Sequence, residues 1–270
     1  MRIFAIQDKC KKNDIGYLFY YKKTKEFYIE LLSNLSEWDI PLLLSSLYKK
    51  GIKSIDSYWS KEWVKQRIVP TDRQNIGQIL RDNRLKQYDE YDLLMLTNGN
   101  CEQDDYCLAL IEKHKLPEEI KSRLNKRISN VLTLEDNRLM VIFKNNAIKI
   151  CNLRNYFKEN NKYDVLIEDK EMFNDIKILT DGFGVGWGDN LVLSSEYLYS
   201  QGEDIPINAK DLERYLYLNT MTTKDVMSYL NCSRQYVNEL VKKRKLIPLK
   251  SINSITIFSK AEVIKQKWED

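Results

Sequence analysis

The chain has 270 residues, 43% of them hydrophobic and 11% aromatic, with 43 Lys+Arg against 39 Asp+Glu. That is enough apolar material for two or three cores and excludes wholesale disorder, while apolar runs such as Ile40 to Leu44 are far too short to span a bilayer. No apolar leader follows Met1, the five cysteines form no Cys-x-x-Cys pair, and the single His114 lies in the charged stretch Glu112 to Lys115; the expectation is a cytoplasmic chain with reduced thiols, no metal, no cofactor and no catalytic triad.

Residues 1–128 read as an α+β unit. Ile3–Ile6 and Gly16–Tyr21 have strand composition, and Lys25 to Ile29 adds a third strand after a Lys22-Lys23-Thr24 turn. Helical spacing follows. Leu42, Leu43 and Leu47 share a face between Asp39 and Gly51, and Ser60 caps a helix with Trp59, Trp63 and Val64 inward that ends at Pro70. Asp72–Leu80 and Asp89–Thr97 read as two more helices, broken by Asn98-Gly99-Asn100. Lys115–Arg127, charged on most faces, reads as a connector helix; Arg67, Arg73 and Arg81 read as helix surface and Glu102, Asp104 and Asp105 as a solvated acidic loop.

Residues 129–205 change character. Leu139–Phe143 and Ala147–Ile150 form a hairpin, Leu153–Phe157 a short helix, and Met172-Phe173 opens a strand pair running through Ile176–Leu179, the Thr180-Asp181-Gly182 turn and Val185–Trp187. Gly182-Phe183-Gly184-Val185-Gly186 has no following Lys-Ser/Thr and is a strand turn, not a phosphate loop. The hairpin, the Leu153–Phe157 helix, the approach from Glu168-Asp169 to Phe173, the glycine-spaced strand ending at Trp187 and the closing Tyr197-Leu198-Tyr199 together resemble an uncharacterised family of small bacterial α+β modules. Members of that family occur alone or attached to helix-turn-helix segments, and the resemblance implies no activity.

The positive charge is concentrated at the end. From Pro206 to Asp270 there are 12 Lys+Arg and 7 Asp+Glu, which leaves 31 basic and 32 acidic groups for the rest of the chain. Lys242, Lys243, Arg244, Lys245 and Lys250 fall close together with no acid among them, as a polyanion partner would require. Thr222-Thr223-Lys224-Asp225 is a capping box, and Val226, Met227 and Leu230 form the inner face of the helix it starts. Asn231 suits a left-handed turn, Cys232 is a small apolar plug, and Ser233 caps a second helix, Arg234–Lys243, with Val237, Leu240 and Val241 inward. Past Pro248, Leu249–Phe258 alternates as a hairpin turning near Ser251–Ser254, and Ser259-Lys260-Ala261-Glu262 opens a last helix that buries Val263 and Trp268.

This order resembles the excisionase/MerR-like winged helix-turn-helix family across about 50 residues of the expected carboxy-terminal domain, 206–270. The resemblance implies that Ser233, Arg234, Gln235, Tyr236 and Asn238 face the major groove of double-stranded DNA. It places Lys242, Lys243, Arg244 and Lys245 on phosphates, and Lys250, Ser251 and Asn253 at the minor groove. Two residues depart from the family pattern: Met227 stands where alanine is usual, and Arg244 where glycine is usual. The expected protein is an α+β, multidomain transcriptional regulator that is not an enzyme. Its first two modules serve homodimerisation, a protein partner or sensing. The alternatives are an antitoxin-like or docking protein that binds DNA only for autoregulation and, further off, an enzyme with its site in residues 1–125.

Overall fold

The β-branched and aromatic opening of the chain folds as antiparallel strands in a computed structural model that describes residues 1–188 and 190–266. Helix at 41% and strand at 28%, in four separate antiparallel sheets, make the fold mixed α+β. Two units pack separately: residues 1–145 with 150–203, and residues 146–149 with 204–270. The stretch expected as 1–128 and most of that expected as 129–205 lie in the larger unit, while residues 146–149, 204 and 205 lie in the smaller one. Among the described residues, no helix is long and apolar enough to cross a membrane.

In the larger unit, β1 (Arg2–Asp8), β2 (Asn13–Tyr21), β3 (Glu26–Leu31), β4 (Ser54–Ile55) and β5 (Tyr106–Ile111) form one sheet in the order β4-β3-β2-β1-β5. Its central strand is a continuous apolar run because both faces are covered. Leu18 and Tyr20 join Phe4, Ile6 and Ile29 on one side, under Leu44 of α1 (Leu42–Lys49), Trp63 and Val64 of α2 (Ser57–Lys65), and Leu93 and Leu94. Tyr17 and Phe19 point the other way, against Ile120, Leu124 and Phe183. Two further helices are α3 (Ile76–Asp82) and α4 (Glu90–Leu96), the latter capped by Asp89, and α5 (Glu118–Asn125) supplies Ile120 and Leu124.

The unit continues with β6 (Ile128–Leu134), which pairs with β7 (Arg138–Phe143) through a turn where Asp136 and Asn137 take positive φ. After β8 (Ile148–Asn152) come α6 (Arg154–Glu159), α7 (Asp164–Glu168), α8 (Lys170–Asn174), β9 (Lys177–Ile178), β10 (Gly184–Trp187), β11 (Leu191–Ser194) and α9 (Ser195–Gln201). Phe157, Tyr163, Phe173 and Trp187 are buried together, with rings stacked or edge-on, and Trp187 Nε1 donates to the Phe173 carbonyl at 2.8 Å.

Buried charge ties the halves of this unit. Glu30, 1% exposed, accepts from Arg127 Nη2 at 3.0 Å and Arg123 Nη1 at 3.1 Å. Arg127 Nη1 donates to Asp181 Oδ2 and to the Tyr21 hydroxyl oxygen, each at 2.7 Å, and Lys144 closes on the other Asp181 oxygen. Burial opposes the Arg127 charge, yet Glu30, Tyr21 and Asp181 outweigh it and its pKa is raised. Burial likewise opposes ionisation of Asp181, but bonds from Lys144 and Tyr21 and the field of Arg127 bring its pKa below the ordinary value. Gly182 makes the turn possible: its φ is +75°, and a Cβ there would lie 1.9 Å from the Ile128 carbonyl oxygen.

Several expectations are corrected here. Leu42 is 91% exposed and Leu44 is the buried residue of α1. Asp56, not Ser60, caps α2; Ser60 is buried inside it, its hydroxyl donating to the Ile55 carbonyl. Lys115–Arg127 is more than a connector, since α5 buries Ile120 and Leu124 and leads into Arg127. Met172-Phe173 lies in α8, started by the Asp169 carboxylate accepting from the Met172 amide at 2.9 Å, and not in a strand. Arg67 is buried against Trp63 and paired with Asp104, so it is not helix surface; Asp104 is partly exposed, and Glu102 and Asp105 are exposed as expected. Strands β5 and β6 were not anticipated.

Candidate nucleic-acid interface

The smaller unit begins with residues 146–149, where the Ala209 amide donates to the Asn146 carbonyl at 3.0 Å and Lys149 pairs with Asp204 at 3.0 Å. After β12 (Glu203–Asp204), Asn208 caps α10 (Ala209–Asn219), a helix the sequence reading did not identify, whose Tyr215, Leu216, Tyr217 and Leu218 are exposed. β13 (Thr220–Thr222) then pairs with the strand Ile255–Ser259 and leads directly into α11 (Thr223–Leu230).

Local chemistry sets the next two helices. Thr222 and Asp225 form the reciprocal capping box: the Thr222 amide donates to Asp225 Oδ2 at 2.8 Å and the Asp225 amide to Thr222 Oγ1 at 3.4 Å. Those bonds from Thr222 hold the Asp225 carboxyl below its ordinary pKa. Asn231 ends α11 at φ 51°, ψ 49°, in the left-handed region that its short side chain tolerates. Ser233 accepts from the Tyr236 amide at 3.2 Å and starts α12 (Arg234–Lys242). Val226, Val237, Leu240, Leu246, Phe258 and Val263 make the core beneath, with Met227, Leu230, Cys232 and Val241 packed on it. Burial raises the Cys232 thiol pKa.

With Val237 and Leu240 buried, the opposite face of α12 must face solvent. Arg234, Gln235, Tyr236 and Asn238 are all exposed, as is the capping Ser233. Lys242, Lys243, Arg244 and Lys245 are exposed at the far end. Arg244 has φ 55°, its amide bonds to the Val241 carbonyl, and the Lys245 amide reaches back to Leu240. That is a Schellman turn, which prefers glycine at the position Arg244 fills. The wing strands are β14 (Pro248–Ile252) and β15 (Ile255–Ser259), with Lys250 opposite Ile257, Ser251 opposite Thr256, and Asn253 at φ 53° in the turn. Lys250, Ser251 and Asn253 are exposed.

Two points differ from the sequence reading. Lys243 has a compensating acid: Glu239, one turn earlier on the exposed side of α12, lies 3.5 Å from it. The i,i+4 spacing carried that signal. Lys242, Arg244, Lys245 and Lys250 have no carboxylate partner among the described residues. Glu262 accepts from the Ile247 amide at 3.4 Å, tying α13 (Lys260–Gln266) to the chain that leads into the wing, and no bond from it back to Ser259 is formed among the described residues. Trp268 lies outside the described residues.

The arrangement is a short helix at whose start amide- and guanidinium-bearing side chains point outward, followed by cations and then a hairpin carrying another cation. Side chains of the first kind can pair with base edges and the cations with phosphates. No family model, no curated protein and no solved structure matches the chain.

Proposed function

We propose that the chain is a cytoplasmic DNA-binding regulator that holds duplex DNA with a winged helix-turn-helix in its carboxy-terminal unit. The observation that carries this reading is the outer face of α12 and the turn after it: Arg234, Gln235 and Asn238 exposed beside Lys242, Arg244 and Lys245, which no carboxylate neutralises among the described residues. Arg234, Gln235, Tyr236 and Asn238 read bases, Lys242 to Lys245 hold phosphates, and Lys250, Ser251 and Asn253 in the wing lie against the minor groove. One reading helix makes few base contacts, so the regulator acts as a homodimer on paired half-sites. The larger unit senses or pairs and performs no reaction. Its cleft of about 860 Å³, walled by Tyr156, Tyr197 and Tyr199, supports a sensing role, being of the size that small effectors occupy.

A docking or antitoxin-like reading is favoured by one feature, the exposed Tyr215, Leu216, Tyr217 and Leu218 on α10. Genome-wide binding by the full chain decides between the readings. A recurrent motif lost in Arg234→Ala supports sequence-specific regulation, and recovery of a single site at the chain's own promoter supports autoregulation by a docking protein.

A further inference from the structure

The wing carries more apolar surface than its own fold uses. Phe258 belongs to the core beneath α12, so the alternation of β15 turns Ile255 and Ile257 to the opposite face of the sheet. The register sets Ile252 directly across from Ile255 and Lys250 across from Ile257, on that same outer face. Ile252 is 51% exposed and Ile255 58%, and neither is part of the core cluster. Only Asn253 and Ser254 lie between them, with Asn253 at φ 53°, so the two side chains stand together at the tip of a tight hairpin. A cross-strand isoleucine pair supports its hairpin, but here about half of each side chain is left in water.

Charge decides what covers this tip. Between Glu239 and Glu262 the sequence holds six Lys and Arg residues and no acid. A second copy of the chain would bring the same six cations to the contact, and like charges oppose that pairing. A DNA duplex brings phosphates to the cations, and its minor groove admits aliphatic side chains as a wedge between stacked bases.

We propose that Ile252 and Ile255 enter the minor groove as an apolar wedge that partly unstacks one base step, with Lys250 on an adjacent phosphate. The inference rests on the reading of the carboxy-terminal unit as a DNA binder and adds to it a distortion of the duplex that base pairing by α12 side chains does not require. A preference follows from it. Flexible pyrimidine–purine steps such as TA open most easily, so the wing selects them without bonding to a base edge.

The test uses the full chain at about 50 mM salt with three duplexes: one fully paired around a central TA step, one with an unpaired bulge at that step, and one carrying 2-aminopurine beside it. Binding raises the 2-aminopurine fluorescence, and the bulged duplex, already unstacked, binds about tenfold tighter than the paired one. Ile252→Thr/Ile255→Thr keeps the branched side chains that favour strands and loses both effects, while the dependence of affinity on salt is unchanged. Ile252→Leu/Ile255→Leu, a poorer strand former but still an apolar wedge, keeps both; a pair that only builds the hairpin gives the reverse order. The wedge is overturned, with DNA binding by α12 left standing, if paired and bulged duplexes bind equally, if the fluorescence does not rise, or if Ile252→Thr/Ile255→Thr changes neither. Folded protein that binds none of the duplexes overturns both readings. A dimer that Ile252→Thr/Ile255→Thr dissociates in sedimentation, with the bulge preference kept, gives the face to a second copy and overturns the wedge.

Discussion

Arg127 in the larger unit and Arg244 in the smaller one have the same side chain in opposite circumstances. Arg127 is 2% exposed and its partners Glu30 and Asp181 belong to the same unit, brought from distant points of the chain. Arg244 is exposed, stands among Lys242, Lys243 and Lys245, and has no carboxylate partner among the described residues. The residues before Pro206 are close to charge-neutral and those after it are basic. A cation neutralised internally fixes a fold, whereas a group of cations left open is available to a partner that brings its own negative charge. The first arrangement is tested by stability and the second by binding.

The largest effect is expected from breaking the internal pair. Arg127→Met leaves Glu30 buried with Arg123 as its one remaining cationic partner and costs about 3–5 kcal/mol by chemical denaturation. The double variant Glu30→Gln/Arg127→Met recovers part of that loss, because no unpaired charge remains. DNA affinity per folded molecule stays unchanged in both, since the core under α12 is separate. Acid sharpens the same side of the comparison. Asp181 has a lowered folded pKa, so its contribution is present above its unfolded value of about 4 and is lost as pH falls through the folded one. Asp181→Asn removes that acid-labile component, read as a flatter fall of melting temperature between about pH 5 and pH 3.

On the exposed side, Arg234→Ala or Gln235→Ala costs about 1–3 kcal/mol at particular base pairs and spares non-specific binding, measured on a panel of single-substitution operators. Equal losses on every sequence would reduce these two residues to phosphate contacts.

The capping box gives an intermediate effect. Thr222→Ala costs about 1 kcal/mol of stability in the smaller unit, read from its own thermal transition. This box, the left-handed Asn231 and the Ser233 cap were legible in the sequence because each is settled within a few residues of chain. The buried network was not legible. Glu30 and Arg127 are 97 positions apart, and nothing local in either marks a partner. Arg67 looked like surface for the same reason, since Asp104 reaches it only once β5 and α2 are packed. The acid beside Lys243 was missed because an i,i+4 partner lies outside the run of adjacent bases. Short strands such as β13, with three residues, exist by pairing and leave almost no period to read.

The smallest effects separate cations that look alike in the sequence. Lys245→Ala reduces the slope of log affinity against log salt by about one unit on every duplex, whereas Lys243→Ala reduces it by less, because Glu239 already holds that charge in part. Glu239→Gln tightens non-specific binding modestly.

The most direct test of the central claim is a salt titration of the full chain on duplex DNA, followed by fluorescence anisotropy. With about three to five phosphates neutralised per chain, log affinity falls against log salt with a slope of about −3 to −5 per protomer, and replacing Lys242, Arg244 and Lys245 together by alanine removes most of it. Folded protein that shows no binding at about 50 mM salt, or a slope untouched by the triple replacement, would contradict the assignment of α12 and its basic turn to DNA.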